Sequence, residues 1–98
     1  MNALNFSEVE NRVEKYGSIL EKKIIQLIRD DFSLLKRIIH IARTNSCDKR
    51  SGFCKGCRLA SLFSQTKFED GEEHCPLWVI RDGREISSGA KKIIRYLI

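Results

Sequence analysis

Proline and tryptophan occur once each in this chain, at Pro76 and Trp78, and no apolar run approaches the roughly 20 residues that span a bilayer. No membrane-spanning helix is therefore expected, and no membrane partner. The opening stretch MNALNFSEVE lacks the basic n-region and apolar h-region of a secretory signal. An intracellular location, cytoplasmic or nucleoid-associated, follows as the expectation, in a compartment that keeps thiols reduced. There is no Gly-rich phosphate loop, and no serine sits in a nucleophile-elbow setting, so nothing argues positively for catalysis. Internal repeats, low-complexity tracts and linkers are also missing, which leaves residues 1–98 as one domain. Residues 1–45 read as a helical part and 46–98 as a four-cysteine, metal-binding part.

The chain is 42% hydrophobic and 32% charged, a balance that belongs to a globular protein rather than a disordered one. Ninety-eight residues lie near the lower end of what apolar burial alone holds together, so a covalent or metal staple is of use. Positive charge is unevenly placed. Seven of the eighteen Lys and Arg fall within residues 36–58, against a single carboxylate, Asp48.

Local signals read mostly as helix. Ser7 with Glu10, and Ser18 with Glu21, have capping-box spacing, and Gly17 stands where the first helix would end. Leu20, Ile24, Leu27 and Ile28 form an apolar stripe at helical spacing, and Phe32, Leu35, Ile38, Ile39 and Ala42 form another. Asp30–Asp31 interrupts them, and Asp31 is suited to cap a new helix, so a break is expected there. Leu59, Leu62 and Phe63 share one side of a short helix after Cys57. Glu69, Asp70, Glu72 and Glu73 read as a solvated acidic connector. Asp82–Gly83, between apolar LWVI and the sequence REI, marks a hairpin turn. Ser87 or Ser88 then caps a last helix that turns Ala90, Ile93, Ile94 and Leu97 inward. The expected fold is mainly α: a small metal-stapled helical domain with one short β-hairpin.

The cysteines are spaced C-x6-C-x2-C-x17-C, at Cys47, Cys54, Cys57 and Cys75. Four thiols, three of them in eleven residues, suit a metal better than disulfides in a reducing compartment. By count they satisfy either an iron–sulfur cluster or tetrahedral zinc. Paired short knuckles, usual in zinc sites, are missing, whereas a cluster accepts ligands from unevenly spaced loops, and Cys75–Pro76 also occurs in ferredoxin-type motifs. A [4Fe–4S] cluster is therefore the expected cofactor, with one Zn²⁺ as the alternative. His40 and His74 are spectators in this reading, although His74 is placed to tune the site through a hydrogen bond. Phe53 and Trp78 are expected to pack beside it.

The segment CDKRSGFCKGC resembles the iron–sulfur loop of the endonuclease III and adenine-glycosylase family of DNA repair enzymes, whose motif is C-x6-C-x2-C-x5-C. Cys47, Cys54 and Cys57 match the first three ligands, with basic residues between the first two and a glycine within C-x2-C. The helix LLKRIIHIART leads in, as one does in the family. The last gap is seventeen residues here rather than five, and neither a helix-hairpin-helix segment nor a glycosylase catalytic acid is recognisable. The resemblance implies a [4Fe–4S] cluster whose loop presents Lys49 and Arg50 to DNA phosphates.

Lys36, Arg37, Arg43, Lys49, Arg50, Lys55 and Arg58 are the candidate nucleic-acid contacts, being the densest cationic group. Arg81, Arg84, Lys91, Lys92 and Arg95 would extend that surface if the fold brings them alongside. The functional expectation is a non-catalytic metal-binding module that contacts nucleic acid through a basic helix and loop. Two alternatives stand beside it: a redox or redox-sensing iron–sulfur protein, and a protein-interaction factor acting on a larger nucleic-acid-processing complex.

Overall fold

Helix α1, Phe6–Tyr16, opens a computed structural model that describes residues 5–45 and 57–97. Asn5 caps it: the Asn5 Oδ1 accepts from the backbone N–H of Ser7 at 3.1 Å and of Glu8 at 3.4 Å. The expected Ser7 cap is thus displaced by an asparagine two residues earlier, which meets the same orphan donors. Helix α2, Ile19–Asp30, starts from a complete capping box between Ser18 and Glu21. The break at Asp31 is present. Its backbone N–H closes α2 on Leu27 O, while its carboxylate accepts from Ser33 N at 3.2 Å and Ser33 Oγ at 2.5 Å to start α3, Ser33–Thr44. That hydroxyl, aided by the Ser33 N–H, holds the Asp31 carboxyl below its ordinary value.

The inward face of α3 is rotated from the expected stripe. Leu34, Leu35, Ile38 and Ile41 are buried, whereas Phe32 is 52% and Ile39 36% exposed. The helix packs between two neighbours, α2 and the last helix, so its apolar residues divide between two contacts rather than facing one core. Phe32 instead meets Phe6 edge-on, with ring centroids 5.5 Å apart.

A 3₁₀ helix, Arg58–Gln65, follows and lies along α2, with Leu59 and Leu62 buried. Residues i and i+3 eclipse in that geometry, which is why this pair shares one face. Strands β1, Val79–Arg81, and β2, Arg84–Ile86, pair antiparallel around Asp82 (φ 54°) and Gly83 (φ 74°). Two consecutive positive φ values are what a type I′ turn requires. Helix α4, Ser88–Leu97, then buries Ala90, Ile93 and Leu97 against α3, α1 and α2. The fold is therefore mainly helical with one short hairpin. Its shared core includes Ile24, Ile28, Ile38, Leu59, Leu77 and Ile93, each worth about 1.5–3 kcal/mol of burial. Among the described residues, no helix is long and apolar enough to cross a membrane.

The start of α4 is packed backbone to backbone. Ala90 N–H donates to Leu77 O at 2.9 Å. A Cβ on Gly89 would collide with Pro76 O and lie 2.8 Å from the Leu77 carbonyl carbon, so only glycine fits. Gly89→Ala is expected to lower stability by about 1–3 kcal/mol through overpacking, read as a lower urea midpoint. An unchanged midpoint would mean that α4 is not seated on residues 76 and 77.

Glu21 is the buried carboxylate of this core, 7% exposed. Its Oε1 accepts from Ser18 N at 3.2 Å and lies 3.6 Å from Lys92 Nζ. Burial alone drives its pKa up, but the Ser18 N–H, the Tyr96 hydroxyl and Lys92 outweigh it, so the net displacement is downward. A lowered folded pKa contributes stability that is complete above the ordinary glutamate value of about 4.3 and is lost as pH falls through the folded value. Denaturation midpoints measured from pH 6 down to pH 3 should fall more steeply for the wild type than for Glu21→Gln.

Candidate functional site

Of the four cysteines, Cys57 and Cys75 are described; Cys47 and Cys54 lie outside the described residues, as do Phe53, Lys49, Arg50 and Lys55. Cys57 caps the 3₁₀ helix, its carbonyl accepting from Ala60 N at 3.0 Å, and the next residue, Arg58, reaches Asp30 at the end of α2 at 3.8 Å. Cys75 follows a loop closed on itself, in which His74 N donates to Thr66 O and Lys67 bridges Glu73. Its own carbonyl accepts from Trp78 N at 3.1 Å. Both cysteines are half-buried at the edge of the apolar core, and neither is in a disulfide. Two half-buried thiols of this kind are chemically able to serve as metal ligands.

Two hydrogen-bonded ties converge on α4. Asn45 ends α3 in the left-handed conformation (φ 53°, ψ 38°), and its Oδ1 accepts from Ser87 N at 2.7 Å. Leu77, two residues after Cys75, accepts from Ala90 N. The chain therefore enters the segment 46–56 beside the first turn of α4, and it leaves Cys75 for that same turn. Asparagine closing a helical pattern is a known left-handed signal, but its partner forty-two residues away has no signature in sequence.

The basic residues split into two groups. Arg58, paired with Asp30, and Arg37 both lie near the α2–α3 junction, where each helps lower the Asp31 pKa. Lys36 and Arg43, seven residues apart on α3, share its exposed face with Ile39 and His40. Of these, Ile39 and Arg43 turn toward α4. Arg43 and Lys91 both line an apolar groove of ≈ 420 Å³ between the two helices, walled by Leu35, Ile39, Ile94 and Leu97. Lys91 also lines a second cavity of ≈ 400 Å³ with Arg81, Lys92 and Arg95. Among the described residues, no carboxylate lines either one. Of the residues expected only to extend the basic surface, Arg81, Lys91, Lys92 and Arg95 are thus continuous with Arg43 through Lys91, while Arg84 lines neither cavity.

The acidic connector holds more order than expected. His74 Nε2 lies 3.1 Å from Asp70 Oδ2, and the His74 ring stacks on Phe68 with centroids 4.2 Å apart and planes 9° from parallel. Asp70 also accepts from Glu72 N at 2.9 Å, the main reason its pKa is lowered, with His74 contributing. Phe68 is buried although it stands between charged residues, and those neighbours hide it from any reading of the apolar pattern. His40 is exposed on α3 and remote from this cluster in sequence. The chain matches no family model, no curated protein and no solved structure.

Asn45→Gly preserves the left-handed backbone but removes the acceptor for Ser87 N. It is expected to cost about 1–3 kcal/mol, the penalty of leaving a partly buried N–H unsatisfied, measured by urea denaturation. A cost near zero would show that water replaces the asparagine without loss.

Proposed function

We propose that this chain is a non-catalytic module in which Cys47, Cys54, Cys57 and Cys75 hold a metal centre and a basic face binds nucleic acid. The observation that carries the second half is the continuity of cations from Arg43 on α3 to Lys91 on α4, and on to Arg81, Lys92 and Arg95, with Lys36 exposed two turns before Arg43. Such a surface, with no carboxylate among the described residues lining its cavities, suits a polyanion whose charges are evenly spaced. The metal half is supported by the donor set, four thiols with no disulfide at the two described ones, and by the return of both flanking segments to the first turn of α4.

A [4Fe–4S] cluster is the reading favoured by the spacing, and one Zn²⁺ is the alternative. Either would supply a cross-link between the start of the 3₁₀ helix and the segment that docks on α4. The basic residues would then be displayed on a frame fixed at the cysteines, and their charge would partly offset the thiolates.

A protein-interaction role has one observation in its favour, the apolar groove between α3 and α4. Grooves of that kind accept amphipathic helices. Nucleic-acid binding accounts better for the cations, since four of them line a cavity outside the groove's apolar walls.

Protein purified without oxygen should be brown, with a broad absorbance near about 400 nm and about four irons per chain. A colourless protein with about one zinc would replace the cluster with the alternative metal, and a metal-free, fully folded protein would end the metal reading. For binding, Lys36→Gln with Arg43→Gln should weaken DNA affinity and lower the slope of log K against log salt by about 0.9 for every phosphate left unneutralised. Wild-type protein that binds neither DNA nor RNA at low salt would end the nucleic-acid reading.

A further inference from the structure

The cleft between the hairpin and α4 carries a concentration of positive charge that is largely unneutralised among the described residues. Arg81 at the end of β1 and Lys91, Lys92 and Arg95 on α4 line it together with Ile86 and Ser88, and all four cations are exposed. Lys92 lies 3.6 Å from the buried Glu21. Among the described residues, Arg81, Lys91 and Arg95 have no ion-pair partner. Lys91 and Arg95, four residues apart, project from one face of α4.

One further feature is unfavourable in the chain alone and favourable beside an anion. Arg81 stands directly opposite Arg84 in the hairpin register, and like charges in directly opposed positions destabilise a strand pair.

We infer that the hairpin–α4 cleft clamps consecutive phosphates of a nucleic-acid backbone, with Arg81, Lys91 and Arg95 as the gripping residues. The inference rests on the nucleic-acid reading and moves its anchor from the 36–58 segment to residues outside it. A volume of ≈ 400 Å³ accommodates more than one phosphate group, and cations arriving from a strand and a helix flank the path on two sides. Arg43, which shares the α3–α4 groove with Lys91, then continues the track onto α3. A free polyphosphate or nucleoside triphosphate offers the same chemistry without the continuing chain.

The test is fluorescence anisotropy with a short labelled DNA duplex at several salt concentrations, comparing wild type with Arg81→Gln/Arg95→Gln and with Lys36→Gln/Arg43→Gln. Lys92 is left intact because it pairs with Glu21. Thermal melts confirm that both variants remain folded, as these side chains lie outside the core. The expected result is a roughly tenfold or greater loss of affinity for Arg81→Gln/Arg95→Gln at about 0.1 M salt, a slope lower by about 1.8, and a smaller loss for the α3 variant. Tripolyphosphate should compete with DNA on the wild type. If the cleft variant binds like wild type while the α3 variant loses binding, the clamp is overturned and the nucleic-acid reading stands. If wild-type protein binds tripolyphosphate but no DNA or RNA, both are overturned in favour of a free polyphosphate ligand.

Discussion

The first turn of α4 is held by three contacts at once: Ser87 N on Asn45 Oδ1, Ala90 N on Leu77 O, and Gly89 pressed against the Pro76 carbonyl. Together they join two other parts of the chain to the same few residues. The first ties in the end of α3, and the other two tie in the segment that follows Cys75. Two of the three are contacts between backbone atoms, and the third is a side-chain oxygen held on a backbone N–H. The placement of α4 against α3 follows from them. The apolar groove, the cationic cleft and the shared Lys91 all depend on that placement.

Much of this architecture is legible in the sequence because it is set by local chemistry. The Ser18–Glu21 box and the Asp31 break are dictated by a side chain acting on neighbouring backbone and the Asp82–Gly83 turn by the backbone freedom of its residues, and all three appear as expected. What local reasoning misplaces is orientation. The α3 stripe reads as one face, but a helix between two neighbours divides its apolar residues, leaving Phe32 and Ile39 partly in solvent. Asn5 escapes notice because Ser7 fits the capping pattern equally well. Glu21 looks like a surface capping residue, and its burial depends on Lys92 and Tyr96 arriving from a helix some seventy residues later.

The candidate site divides in the same way. Thiol spacing is a one-dimensional feature and can be read directly. The grouping of cations is three-dimensional. Arg37 and Arg58, grouped with Arg43 in sequence, belong to the α2–α3 junction near Asp30 and Asp31. Lys91, which joins the two basic groups, lies well outside the densest cationic stretch. No tally of charge along the chain could distinguish it from its neighbours, because its role comes from the packing of α3 on α4.

Tyr96, near the end of α4, donates a hydrogen bond to the carbonyl of Tyr16, eighty residues earlier. Helix α4 also packs on α1, α2 and α3. During synthesis the first three helices are therefore made well before the element that covers their shared apolar faces. Until α4 leaves the ribosome, Leu35, Ile38 and their neighbours lack their last partner. The nascent chain is consequently open to misassociation throughout that interval, and a single late helix closes it.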